Sequence, residues 1–96
     1  MAAYLIAEID VHDTSAYEEY RRLAGTTLAA FGGRFLVRGG DTTTIEGDWP
    51  PRRMVVIEFP SAGHARAWWA SPDYSVARAI RQRTATTRMI LAEGLS

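Results

Sequence analysis

The sequence predicts an α+β sandwich in the order β-α-β-β-α-β. Three observations carry this: short apolar or alternating segments, two amphipathic segments with helical spacing between them, and glycine, proline or serine at nearly every junction. Ninety-six residues are enough for one hydrophobic core and no more, so a single domain over 1–96 is expected.

Ala3–Ile9 is short, apolar and partly β-branched, which predicts a strand. Ser15, with Glu18 three residues on, offers a capping box, and Asp13 competes as N-cap. Tyr17, Tyr20, Ala24, Leu28 and Phe31 then recur at three- and four-residue steps and form one helical stripe. Gly32-Gly33 ends that helix through a left-handed cap. Arg34–Arg38 alternates as a second strand, Gly39-Gly40-Asp41 signals a turn or bulge, and Thr42–Glu46 is β-prone enough to continue the ribbon. Gly47–Pro51 is a loop, because neither proline can donate to a ladder. Met54–Phe59 is the clearest strand. Ser61 caps a short helix through Trp68-Trp69-Ala70, and Ser71-Pro72-Asp73 restarts a second one with serine at the cap and proline at the first position. Tyr74, Ala77, Ile80 or Arg81, and Thr84 mark its inner side. Met89–Glu93 closes the chain as a last strand. The second helix is thus broken in two, and the halves suggest a ferredoxin-like topology, with the first strand central and both helices on one face.

Strand alternation sorts the side chains onto two faces. Leu5, Ala7, Ile9, Phe35, Val37, Val55, Ile57, Phe59, Met89 and Leu91 form an apolar set that packs under the helices. Tyr4, Ile6, Glu8, Arg34, Leu36, Arg38, Met54, Val56, Glu58, Arg88, Ile90 and Ala92 form the other. Five of these twelve are charged, yet the rest include large apolar groups that a water-facing sheet would shed. A homodimer burying this mixed face against itself satisfies both facts. An open amphipathic sheet in a monomer is the alternative.

Composition removes whole classes of chemistry. Cysteine is absent and all eleven basic residues are arginine, which excludes disulfides, thiolate nucleophiles or ligands, Schiff-base lysines and a P-loop lysine. Eleven acids balance the eleven arginines, so no overall field attracts nucleic acid. The apolar run Met1–Ala7 is stopped by Glu8 and lacks a basic start, so neither a signal peptide nor a membrane span is expected, and a cytoplasmic location is the default. Two distant histidines with scattered acids give no metal spacing. Gly39-Gly40 lacks the context of a phosphate loop, and no cofactor motif is present. Residues 1–20 hold five acids and no base, whereas residues 77–96 hold four arginines and one acid. With the first and last strands adjacent, these charges complement each other within the chain.

The run Phe31-Gly-Gly-Arg-Phe-Leu-Val-Arg-Gly-Gly40, then Glu46-Gly-Asp-Trp-Pro50, Val56-Ile-Glu-Phe-Pro-Ser61, and Trp69 with Ser71-Pro-Asp-Tyr74, resembles the bacterial family called domain of unknown function 1330. The resemblance covers nearly the whole chain. It implies a dimeric α+β barrel, ferredoxin-like in each protomer, with a small pocket and no agreed reaction. The wider superfamily includes cofactor-independent monooxygenases, haem-degrading enzymes, muconolactone isomerases, polyketide cyclases and ligand-sensing domains, so fold leaves function open. Tyr20, Gly32, Gly33, Arg38, Glu46, Glu58 and Tyr74 stand on pattern positions, and Arg81 matches the arginine that follows the Ser-Pro-acid-Tyr helix start. His64 and Trp68 depart from the pattern or vary.

Within that frame Glu8, Glu58 and Arg38 are the candidate catalytic residues. Two carboxylates sharing a partly buried face can raise one pKa into the range of a general base. Arg34, Arg38 and Arg88 on the same face can orient a carboxylate, phenolate or enolate. The competing reading makes these ion pairs that seal a dimer. Tyr20, Arg34, Trp69, Tyr74 and Arg81 are the candidate substrate-binding residues, with Trp69 and Tyr74 flanking the helix break where a cavity mouth for a planar aromatic ligand would form. His12, beside Asp10 and Asp13, is a weaker proton-shuttle candidate. Two functions remain: a cofactor-free enzyme acting by proton transfer on an aromatic or polyketide-like substrate, and a non-catalytic homodimer that binds a small ligand.

Overall fold

The computed structural model describes residues 1–50 and 52–95. Its elements are β1 (Ala3–Val11), α1 (Thr14–Leu28) with a 3-10 turn at Ala29–Phe31, β2 (Arg34–Arg38), β3 (Arg53–Phe59), α2 (Ala62–Ala70), α3 (Pro72–Thr84) and β4 (Ala85–Glu93). The sheet runs β2-β3-β1-β4, antiparallel throughout. This is the ferredoxin-like arrangement with β1 central, and the second helical segment is split at Ser71. Among the described residues no helix is long and apolar enough to cross a membrane.

Local chemistry sets each boundary. Asp13, not Ser15, caps α1: its Oδ1 accepts from the Ala16 N–H at 3.1 Å. Gly32 ends the following turn at φ +74°, and a Cβ there would lie 2.8 Å from Pro60 Cγ. Ser61 accepts from the His64 N–H and caps α2. Ser71 closes α2 and opens α3, its Oγ accepting from the Tyr74 N–H at 3.1 Å, with Pro72 next and Asp73 in the first turn. The inner side of α3 carries Tyr74, Ala77, Arg81 and Thr84, all buried.

β4 begins four residues before the predicted start, because Ala85–Arg88 pairs with Glu8–Val11 directly after α3. Thr42–Glu46 does not continue β2: the segment after Gly39 leaves the sheet and pairs with no strand. Pro51, placed in this loop by the sequence, lies outside the described residues. The core is the helix-facing set Leu5, Ala7, Ile9, Val55, Ile57 and Phe59 against Tyr17, Tyr20, Ala24, Leu28, Ala65, Trp68, Tyr74 and Ala77.

Strand β2 departs from regular alternation. Its register on β3 shifts between Phe35 and Val37, so Phe35 pairs with Ile57 but Val37 pairs with Val56 and Arg38 with Val55. One irregularity exchanges the faces of every residue beyond it. Val37 therefore joins the open face, not the core, and Arg38 turns to the helix side.

Candidate functional site

The open face of the sheet holds Glu8 and Glu58, but not as a pair. Glu8 lies opposite Met54, and Glu58 lies opposite Tyr4. The two carboxylates thus sit four residues apart along the sheet, about 13 Å at the usual strand rise. Each is already engaged. Arg34 Nε donates to Glu58 Oε1 at 2.7 Å, Arg88 Nε donates to Glu8 Oε1 at 3.1 Å, and Trp49 Nε1 donates to Glu8 Oε2 at 2.9 Å. The hydrogen bond from Arg88, then that from Trp49, holds the Glu8 carboxyl below its ordinary value. That is the opposite of the upward shift a general base at neutral pH needs. Trp49 reaches Glu8 because the loop after β2 folds back over this face, held by Thr44 Oγ1 donating to the Trp49 carbonyl at 2.6 Å.

Arg38 is on the other side of the sheet, away from both carboxylates. After the β2 irregularity its guanidinium lies 4.2 Å over the Phe35 ring and its Nη2 donates to the Arg21 carbonyl of α1 at 2.9 Å. Gly25 lies beside that Nη2, and a Cβ there would make an ordinary contact at 3.5 Å. Arg38 therefore spans the mouth of a narrow cleft between α1 and the sheet.

Behind Arg38 the cleft is aromatic and cationic. Tyr17 and Tyr20 meet edge to face at 5.2 Å. Tyr20 and Tyr74 share a hydroxyl–hydroxyl hydrogen bond of 2.9 Å, and Arg81 Nε donates to the Tyr74 hydroxyl at 3.4 Å. Arg53 sits 5.7 Å over Tyr17, and Arg81 sits 5.9 Å over Tyr20. Trp68, 1% exposed, stacks on Tyr74 at 3.9 Å and anchors its Nε1 on Thr27 Oγ1 at 2.9 Å. A cavity of about 20 Å³, lined by Tyr17, Tyr20, Phe35, Arg38, Arg53 and Trp68 among others, lies between these groups. That volume accommodates one water or one small functional group. Burial pushes the Tyr17 and Tyr20 hydroxyls above their ordinary value, and for Tyr20 the neighbouring Tyr74 adds to the shift. Both therefore stay protonated at neutral pH. Burial works against the Arg81 charge, but the Tyr74 and Tyr20 hydroxyls outweigh it and its pKa rises. Among the described residues no carboxylate or imidazole lines this cavity.

A family model described as domain of unknown function 1330 matches residues 2–95. The chain belongs to this family. No curated protein matches it. Among solved structures, a protein of unknown function from Rhodopseudomonas palustris superposes with TM-score 0.79 at 20% identity, covering 99% of this chain and 83% of that one. The cofactor-independent oxygenase SnoaB from Streptomyces nogalater superposes with TM-score 0.67 at 13% identity, covering 99% and 94%. A dimeric ferredoxin-like protein of unknown function from Jannaschia sp. CCS1 gives TM-score 0.67 at 11% identity, covering 98% and 100%. At these identities the likenesses establish the fold.

Of the candidate site residues, the structure gathers Tyr20, Tyr74, Arg81 and Arg38 on the helix side and leaves Glu8, Glu58 and Arg34 on the open face. Trp69 belongs to neither group. It is 40% exposed, its ring faces Arg78 at 4.6 Å, and Trp68 takes the inward position instead. Tyr74 is fully buried, so it forms no mouth and instead packs behind the lining residues Tyr20 and Trp68. Adjacent helix positions point about 100° apart, so only one of the two tryptophans can face the sheet. The Ala65–Trp68 spacing marks which one. Arg53 and Tyr17 were missed as site residues. Arg53 shares strand parity with Val55, Ile57 and Phe59, and an arginine on a core-facing parity is the signal that would have found it. His12, bonded to Thr86 Oγ1 at 2.6 Å, and His64, bonded to Ser61 Oγ at 2.7 Å, lie outside the cleft.

Proposed function

We propose that this member of the family is a homodimer that binds a small organic molecule in the cleft between α1 and the sheet of each protomer, and that its role is ligand binding more than proton-transfer catalysis. The observation that carries this reading is the cleft itself. Tyr17, Tyr20, Tyr74 and Trp68 converge there with arginines, and no side chain lining its cavity is ionised as a base. Neutral phenols donate hydrogen bonds and orient a ligand, whereas an isomerase or cyclase of the proton-transfer kind needs a carboxylate or imidazole within reach. Arg38 lines the entrance, held by one hydrogen bond to a backbone carbonyl of α1 and by its place over the Phe35 ring.

The dimer rests on the open face. Ile90 is 63% exposed, Leu36 and Val37 are exposed, and Trp49 and Ile45 extend this apolar surface from the loop. Glu8–Arg88 and Glu58–Arg34 lie within it, so its charges are internally balanced. Such a face is suited to burial against a second copy. The Jannaschia protein, which shares the fold, is described as dimeric, which supports a dimer here.

Cofactor-independent oxygenation is the second reading, favoured by the likeness to SnoaB. It requires a substrate that ionises without a protein base, its anion being held by the arginines. Calorimetric titration with a panel of planar aromatic and aliphatic compounds, together with oxygen uptake, separates the readings. Saturable binding at one site per protomer without turnover supports the binding role. Turnover would replace it with the oxygenase, and absence of binding across the panel would overturn both.

A further inference from the structure

In and behind the cleft lie three guanidiniums, Arg38, Arg53 and Arg81, that make no ion pair among the described residues. Arg81 is 4% exposed, and its hydrogen-bond acceptor is the Tyr74 hydroxyl. Arg53 Nε is buried with no acceptor. Arg38 bonds a backbone carbonyl. Among the described residues none of these three guanidiniums is paired with a carboxylate, although the chain makes five such pairs elsewhere. Removing a guanidinium from water without a counter-charge is costly. A donor left unsatisfied beside a cavity is placed to meet an acceptor that arrives from outside.

Arg53 is held in this position by the backbone. Gly39 adopts φ +73°, and a Cβ there would fall 2.1 Å from Arg53 Nη1. The glycine lets the guanidinium lie flat against the turn after β2, over Tyr17. A planar fork with an unused edge matches the two oxygens of a carboxylate better than a spherical ion. The lining includes the rings of Tyr17, Phe35 and Trp68, surroundings that suit an aromatic body. The cavity is too small to take more than the charged group while Arg38 is in place.

We propose that the ligand of this cleft is a small aromatic carboxylate, its anionic group lodged between Arg53 and the Tyr17–Tyr20 pair and its ring taking the space Arg38 vacates. This rests on the ligand-binding reading and narrows it to one charge class. The proton of the Tyr20 hydroxyl is donated and not transferred, so binding changes no covalent bond.

The test is the Nε–Hε NMR correlation of Arg53 in the full chain, titrated with benzoate, with its neutral isostere benzamide, and with inorganic phosphate. Benzoate should shift that signal saturably and bind at least about tenfold tighter than benzamide. Arg53→Gln, which keeps a donor but not the charge, should lose at least about tenfold in benzoate affinity. The Trp68 indole N–H signal reports occupancy independently of Arg53. Equal binding of benzamide and benzoate at Trp68 would overturn the anion inference and leave the ligand reading standing. Phosphate binding as tight as benzoate would overturn the aromatic carboxylate in favour of an inorganic anion. No response of either signal to any probe would overturn both the inference and the reading beneath it.

Discussion

Gly39 and Glu8 show how single residues set the two faces apart. At Gly39 an alanine would meet two penalties, a left-handed backbone and a clash with Arg53. Gly39→Ala should lower stability by about 1–2 kcal/mol from the backbone alone and displace Arg53 from Tyr17. Thermal melting checks the first effect, and an unchanged melting temperature would contradict the assigned conformation. Glu8 sits below its ordinary carboxyl value of 4.5 because Arg88 and Trp49 bond its ionised form. Its folded pKa is depressed, so its contribution to stability is present above that ordinary value and is lost as pH falls through the folded one. Glu8→Gln should therefore melt lower than the parent at neutral pH and approach it below 4.5. Melting curves that keep a constant separation across that range would remove Glu8 from the acid response.

Among the elements, the helices were legible because their ends are written in local chemistry. Ser61 and Ser71 each accept an N–H three residues on, and Pro72 needs no amide partner. Ser71→Ala should cost about 1 kcal/mol, read as a fall in the denaturant midpoint, because one residue both closes α2 and caps α3. The strands β1 and β3 were equally legible from alternation. Strand β2 was not. Its irregularity arises in pairing with β3, and alternation read along one strand cannot register a slip against its neighbour. That single shift puts Arg38 on the cleft side of the sheet, apart from Glu8 and Glu58. Likewise, placing Glu8 and Glu58 on one face was correct, but parity carries no information about distance along the strands. The Trp68–Trp69 choice failed for a related reason: pattern position favoured Trp69, whereas helix phase with Ala65 favours Trp68.

At the scale of the whole molecule, the two faces divide the labour. The helix side encloses an aromatic, cation-rich cleft, and the other presents a mixed apolar and ion-paired surface that meets a second copy in the proposed dimer. Ile90→Glu places an unbalanced charge in the middle of that surface, opposite Ile6. In light scattering the parent should give twice 10.6 kDa and the variant should shift toward the single-chain mass, with helix content retained because Ile90 is outside the core. A parent of single-chain mass would contradict the dimer. The sequence points to this face as an interface, since a water-facing sheet sheds large apolar residues on its second parity. It did not reveal the cleft, because the groups that build it come from β2, β3, α1, α2 and α3, and only packing brings them together.

The account stands most directly on occupancy of that cleft, and Trp68 is its built-in reporter. In protein carrying Trp49→Phe and Trp69→Phe, Trp68 is the remaining indole of the three in the chain. Its emission should change saturably with benzoate, with one equivalent bound per protomer, and the change should be lost in Arg53→Gln. Emission that stays constant throughout the titration, or that responds equally in Arg53→Gln, would contradict the assignment of this cleft as the functional site.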